Sequence, residues 1–281
     1  MAEFRTGIGT STGDSIQLLG HDLAHELMGT ISFGELAFWL VAGRRPTEGE
    51  SRVFEAVLVA LTDHGFTPTA IAARMTYYSA PDSLQGAIAA GLLGGGSRFL
   101  GVTEDTAAFL AAGLAQVGPT DDWKQGEWDT LATELVQASR AEHRKVPGLG
   151  HPVHKQADPR TAVLIDLAHE AGTYGPQLAL LEAIGRVHAA LLGRTLPING
   201  AGAAGAALAD LGLPTRMLRG FAILARTAGL LGHLAEEQLT PVGPAIYELV
   251  DRNAVYHGDA DKGQGDKTQG HETQGDEGQG E

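Results

Sequence analysis

One periodicity that this chain keeps, and another that it lacks, constrain its fold most. Between residues 14 and 257 apolar residues recur every three or four positions in blocks closed by Gly, Pro and Asp; no stretch alternates apolar and polar long enough to demand a strand. That pattern predicts an all-α fold. Ile16, Leu19, Leu23 and Leu27 keep helical spacing. Thr47 and Glu50 form a capping-box pattern ahead of VFEAVLVALTDHG, and Gly65 marks where that helix ends. Further helices are predicted over 68–79, 82–93, 103–116 and 122–143, then over 158–171, 176–192, 202–211, 215–238 and 243–250. Asp158 followed by Pro159 starts the helix at 158 with a capping carboxylate and a ring whose φ is already set.

At 281 residues the chain can bury a sizeable core, as one large domain or two small ones. Cysteine is absent, which excludes disulfides, thiolate metal sites and a cysteine nucleophile, and fits a reducing, cytoplasmic setting. The start, MAEFRTGIGTSTGD, has no apolar core behind a basic end, and no later apolar run reaches the ~20 residues of a membrane span. A formal charge of −14 argues against nucleic acid as a partner. Residues 258–281 are a Gly/Gln repeat with seven acids and two lysines and without a large apolar side chain. Such a tail cannot offset its ordering entropy by burial and is expected to be disordered.

PGLGHPVHKQADPR, residues 147–160, gathers two histidines, a lysine, an aspartate and an arginine on irregular backbone. Gly148 and Gly150 let the chain come close to a ligand, and a loop entering a helix offers free N–H groups to an anion. Arg160 falls in the first helical turn, where the macrodipole disfavours a cation by about 0.3–1 kcal/mol. Forked binding of a carboxylate or phosphate is one reason to place it there. A solvated loop in which Asp158 compensates Arg160 is the alternative. His64 ends the helix that begins near Thr47, where the negative helix end suits donation to an anion, or a simple C-cap. His151 and His154 form an HxxH pair without a third ligand in sequence. His21 and His25 lack the Glu of HExxH, so no metal site is expected.

VPGLGHPVHKQADPR also resembles the citrate synthase signature, in which a glycine-rich loop leads to GH and, nine residues after the His, to the Arg of DPR. ISFGELAFWLVAGRRPTEGE, LTDHGFTPTAIAAR, SLQGAIAAGLLGGGSRFLG and FAILARTAGLLGHLAEE extend the resemblance over roughly residues 14–257. Within the family the chain is most similar to the short citryl-CoA lyase branch, itself similar to the C-terminal part of ATP-citrate lyase. The resemblance implies a large helical domain (1–100 and 208–257) with a smaller one inserted (101–207), and a homodimer or larger homo-oligomer. It implies cleavage or formation of citryl-CoA from acetyl-CoA and oxaloacetate. A coenzyme A thioester and a small polycarboxylate or 2-oxo acid would be the substrates, with no tightly bound cofactor. His64 and His151 would be catalytic, and Arg160 and Arg226 would clamp carboxylates. Val146, Pro147, Gly148, Leu149 and Gly150 would lie along the adenine, with Lys155 near a phosphate.

The chain departs from the family at three places. Phe99 stands near a synthase histidine, which favours the lyase branch. Ala201 stands where the family carries the aspartate that moves the acetyl proton. No arginine follows in TPVGPAIYELV until Arg252. Cleavage survives the second change more readily than synthesis does, if a neutral His151 takes the hydroxyl proton. The alternatives are a related enzyme for another acyl-CoA, with the glycine-rich 200–206 segment making room, or a protein that binds coenzyme A and carboxylates without turnover.

Overall fold

The computed structural model describes residues 3–256, so the acidic repeat at 258–281 lies outside the described residues. The fold is helical, as the periodicity predicts. Its helices are α1 (Phe33–Ala42), α2 (Glu48–Leu61), α3 (Pro68–Ser79), α4 (Leu84–Leu93), α5 (Val102–Leu114) and α6 (Gln125–Ala141). After the loop come α7 (Pro159–Glu170), α8 (Pro176–Leu192), α9 (Gly200–Asp210), α10 (Leu218–Leu239) and α11 (Gly243–Asn253). Among the described residues no helix is long and apolar enough to cross a membrane.

Capping explains most of the boundaries. The Thr47 hydroxyl accepts the Glu50 N–H at 3.2 Å while the Glu50 carboxylate accepts the Thr47 N–H at 2.8 Å. Ser32 and Glu35 repeat this reciprocal arrangement at the start of α1, a helix the sequence reading did not place.

The predicted helix through Ile16, Leu19, Leu23 and Leu27 does not form. Short antiparallel strands β1 (Gly9–Ser11), β2 (Ile16–Leu18) and β3 (His21–Asp22) lie there instead, with Thr10 opposite Gln17 and Leu18 opposite His21. Leu19 and Gly20 both take positive φ, 54° and 81°, and reverse the chain between β2 and β3 before a helical repeat is complete. Leu23–Leu27 forms one π-helical turn capped by Asp22, which buries Leu27 and leaves Ile16 exposed.

One continuous core includes Phe54 of α2, Leu110 of α5, Leu181 of α8, Ala207 of α9 and Phe221 of α10. Phe54 stands edge-on to Phe38 and Phe221 at 5.5 and 4.9 Å between ring centroids. A satellite cluster of Ala70, Ala73, Ala87, Leu230 and Leu234 joins α3 and α4 to α10.

The contact that matters most for position lies where α10 crosses the end of α2. A Cβ on Gly229 would sit 2.0 Å from the Thr62 carbonyl oxygen, so only glycine lets the two backbones meet there. Gly229→Ala should therefore cost about 1–3 kcal/mol in denaturant unfolding. Gly232→Ala, one turn on with nothing within 4 Å, should be neutral or stabilise by up to about 1 kcal/mol through helix propensity. Equal effects of the two substitutions would contradict the close approach.

Candidate active site

The glycine-rich loop is fastened to the segment before α9. Gly148 and Gly150 take φ of 82° and 81°. The Gly150 N–H donates to the Pro197 carbonyl at 2.7 Å, and the Asn199 N–H to the Gly148 carbonyl at 2.9 Å. Asn199 then acts twice more, through Nδ2 to the Gly150 carbonyl at 2.9 Å and through Oδ1 as the cap that accepts the Gly202 N–H at 2.8 Å.

Asp158 fixes the other end of the loop. Its buried carboxylate accepts Arg160 Nε at 3.0 Å, Arg160 Nη2 at 2.7 Å, the Arg160 N–H at 3.1 Å and the Gly200 N–H at 2.7 Å. Burial opposes ionisation, but the Arg160 fork and the backbone donors hold this carboxyl well below the usual range. Arg160 Nη1 donates to the Ala60 carbonyl at 3.1 Å. Two of its five N–H groups are left for a ligand. Compensation by Asp158 therefore leaves Arg160 able to donate to an anion as well.

His64 reaches the same place from the end of α2. Gly65 at φ 72° turns the chain, and Asp63 accepts the Gly65 N–H at 2.8 Å and His233 Nε2 at 2.9 Å. Burial opposes the Asp63 charge, yet these donors hold its carboxyl below its ordinary value. His233 is set in turn by Arg74, which is fully buried, pairs with Glu236 and with Glu237 at 2.8 Å, and donates through Nε to His233 Nδ1 at 3.1 Å. Arginine can only donate, so His233 carries its proton on Nε2.

The rings of His64, His151 and His154 meet. His151 lies 4.9 Å from His64 and stacks on His154 at 4.5 Å, and one nitrogen from each ring lies within 4.8 Å of the others. The HxxH pair thus gains a third histidine that sequence spacing did not show. The surroundings nevertheless suit an anion, since Arg160 acts on His151 as a repelling charge. Arg226 is buried, donates through Nη1 to Thr67 Oγ1 at 3.3 Å, and among the described residues leaves Nε without a partner. Burial pushes its guanidinium pKa down; Asp63 opposes that and Arg160 adds to it. A buried, underpaired arginine beside a second arginine calls for an anionic ligand.

His151 itself is locked into one tautomer. Its Nδ1 accepts the backbone N–H groups of Val153 and His154 at 3.1 and 3.0 Å, so in the neutral ring the proton sits on Nε2. That overturns the expectation that neutral His151 takes the hydroxyl proton, because its outward nitrogen donates. Burial, the charges of His154 and His64, and then Arg160 push its pKa down to about 4 against the pull of Asp158, which keeps the ring neutral near pH 7.

Beyond His151 opens a cavity of about 710 Å³ lined by Val146, Leu149, Gly150, His151 and Lys155. Arg140, His143, Arg144, Lys145 and Arg194 add basic groups to its wall, beside Pro152, Leu192 and Leu196. The sequence reading missed these bases, although RAEHRK directly before the loop is a dense basic run in an acidic chain. Pro147 and Gly148 are not part of that lining; Gly148 packs under α9, where a Cβ on Gly202 would meet its Cα at 2.6 Å. The glycines of 200–206 make no room for a ligand either. A Cβ on Gly200 would strike Arg160 Nε at 2.5 Å, and one on Gly205 the Thr103 carbonyl at 2.2 Å.

Other expected positions are placed plainly. Ala201 is the second residue of α9, Phe99 is exposed ahead of α5, and Arg252 pairs with Glu248 at 2.7 Å on α11. His21 and His25 bond to Glu26 and Asp22, each at 3.0 Å.

The sequence matches the citrate synthase C-terminal domain over residues 16–244. The chain belongs to the citrate synthase family. A citryl-CoA lyase from Hydrogenobacter thermophilus is 32% identical, with a TM-score of 0.78 over 91% of this chain and 94% of that one. An aspartate-to-alanine mutant of Methanosaeta concilii ATP citrate lyase, in complex with (3S)-citryl-CoA, shares the fold at 20% identity and a TM-score of 0.75, over 93% of this chain and 43% of that one. Citrate synthase from Deinococcus radiodurans is 28% identical over 208 residues, 70% of this chain. The chain spans half the length of that curated relative.

The locked ring of this family member gives a pH prediction. Long-range ¹H–¹⁵N NMR should show His151 as the Nε2–H tautomer at pH 7, protonating near pH 4. Its folded value lies below the ~6.5 of an unfolded histidine, so the unfolded chain takes the proton first as pH falls. The His151 contribution to stability is present above about pH 6.5 and is lost towards pH 4. A midpoint at 6–7, or a proton on Nδ1, would refute the assignment.

Proposed function

We propose that the protein interconverts citryl-CoA with acetyl-CoA and oxaloacetate by a reversible Claisen-type reaction, working as a lyase. The observation that carries this reading is the junction at His151. His151 lines a basic cavity sized for a nucleotide, and its ring also feels Arg160, which in turn acts on the buried Arg226.

Each part has a task that its geometry supports. Arg140, Arg144, Lys145, Lys155 and Arg194 would meet the phosphates of coenzyme A, while Val146 and Leu149 would face its adenine. Arg160 and Arg226 would hold carboxylates, the first through the two N–H groups that Asp158 and Ala60 leave free. His151 Nε2–H would donate to the oxygen that alternates between hydroxyl and carbonyl, stabilising charge there without giving up its own ring geometry. His64, whose ring lies 4.9 Å from that of His151, would face the same oxygen. The site draws His64 and Arg226 from segments 1–100 and 208–257, and His151 and Arg160 from 101–207. Relative movement of those segments would close it, and they are proposed as the two domains of each subunit of a homodimer.

Ala201 favours a second reading, binding without turnover, because a methyl group at that place cannot move a proton. Purified protein should be given low micromolar citryl-CoA while oxaloacetate is followed by coupled NADH loss. Turnover that falls at least about 10²-fold in His151→Ala is expected. No turnover with coenzyme A still bound would establish the second reading. Arg144→Ala and Arg194→Ala should each raise the coenzyme A Kd, more at low salt than at high salt, as measured by calorimetry. A Kd unchanged in both would remove the cavity from the proposal.

A further inference from the structure

Cleavage of citryl-CoA needs a group that takes the hydroxyl proton and a group that protonates the carbon left behind. Two obvious candidates fail on geometry. Ala201 has no acceptor, and His151 presents an N–H outward because two backbone donors occupy its Nδ1. Arg160 and Arg226 can only donate.

His154 meets the requirement. It is half-buried, its ring stacks on His151 at 4.5 Å between centroids, and it stands edge-on to His64 at 5.7 Å. Among the described residues neither of its ring nitrogens has a hydrogen-bond partner, so a neutral ring keeps one lone pair free beside the His151 donor. His64 shares that freedom but sits on the segment leading to Thr67, the partner of Arg226 from α10, where carboxylates would bind. His154 lies on the loop between Pro152 and Lys155, which line the cavity for the thioester although His154 itself does not, and it stacks on His151, which does.

We propose that His154 carries the proton between the citryl hydroxyl and the acetyl carbon, doing from the loop what the residue at position 201 cannot. This rests on the lyase reading above. The hydroxyl proton passes to the free nitrogen of His154, and the O–H electron pair becomes the new C=O of oxaloacetate. The carbon–carbon bond breaks, and its pair becomes the thioester enolate. The enolate carbon then takes the same proton back from the His154 imidazolium, giving acetyl-CoA. No net proton, oxidant or further reactant is needed, and the reverse sequence forms citryl-CoA.

The test compares wild type with His154→Phe, which keeps a stacking ring but no acceptor, and with His154→Gln. Each is assayed for kcat and KM on citryl-CoA and for coenzyme A affinity by calorimetry. We expect kcat to fall about 10²–10⁴-fold in both variants. KM and coenzyme A Kd should stay within about threefold, the signature of an interaction made in the transition state. Wild-type kcat in His154→Phe would overturn the inference and leave the lyase reading intact. A rate loss matched by an equal loss of coenzyme A affinity would also overturn it, by making His154 a packing residue. Absence of citryl-CoA turnover in wild type would bring down the lyase reading and this inference with it.

Discussion

A single buried carboxylate holds this site together. Asp158 caps α7, forks with Arg160 and receives the first N–H of α9, so two pieces of chain 42 residues apart in sequence share one charge. A carboxylate removed from water is tolerable only when its lone pairs are met, and here four N–H bonds meet them. Asn199 performs the matching task with a neutral side chain, joining the glycine loop to the same helix. With both in place, the direction of Arg160 and the path of the loop under His151 follow from backbone geometry.

The chemistry of the site is lopsided in a useful way. Around His151 the protein offers donors and cations: an imidazole N–H, two guanidinium groups, and a cavity wall with several bases. The nearby carboxylates are already engaged, Asp158 by Arg160 and Asp63 by His233 and Gly65. Such a surface is complementary to anionic, oxygen-rich molecules and poorly suited to a bare cation, even though three histidines converge there. The acidic balance of the whole chain makes the basic cavity a local exception, and a local field of opposite sign concentrates anions at one mouth.

Much of this was legible in the sequence wherever a signal was local and chemical. The Thr47 and Asp158 caps, the Pro159 start and the motif running from His151 to Arg160 each act over a few residues, and each is found where the pattern put it. The N-terminal segment misled because four apolar residues at helical spacing outweighed a Leu19–Gly20 reversal that needs two positive φ angles. The glycines of α9 misled for a different reason. Sequence shows that a side chain is missing but not what fills the space, and Arg160, Gly148 and Thr103 fill it. The ring of His154 joining His64, and the tautomer of His151, depend on contacts between residues far apart or on backbone donors, which no spacing rule encodes.

Arg226 sets function against stability. A guanidinium this deeply buried, with one nitrogen unpartnered and a second arginine nearby, is a liability to the fold that a leucine or methionine of similar volume would relieve. Under the proposed function, an anion bound at this guanidinium would offset that cost, so stability and ligand affinity would be linked through one side chain.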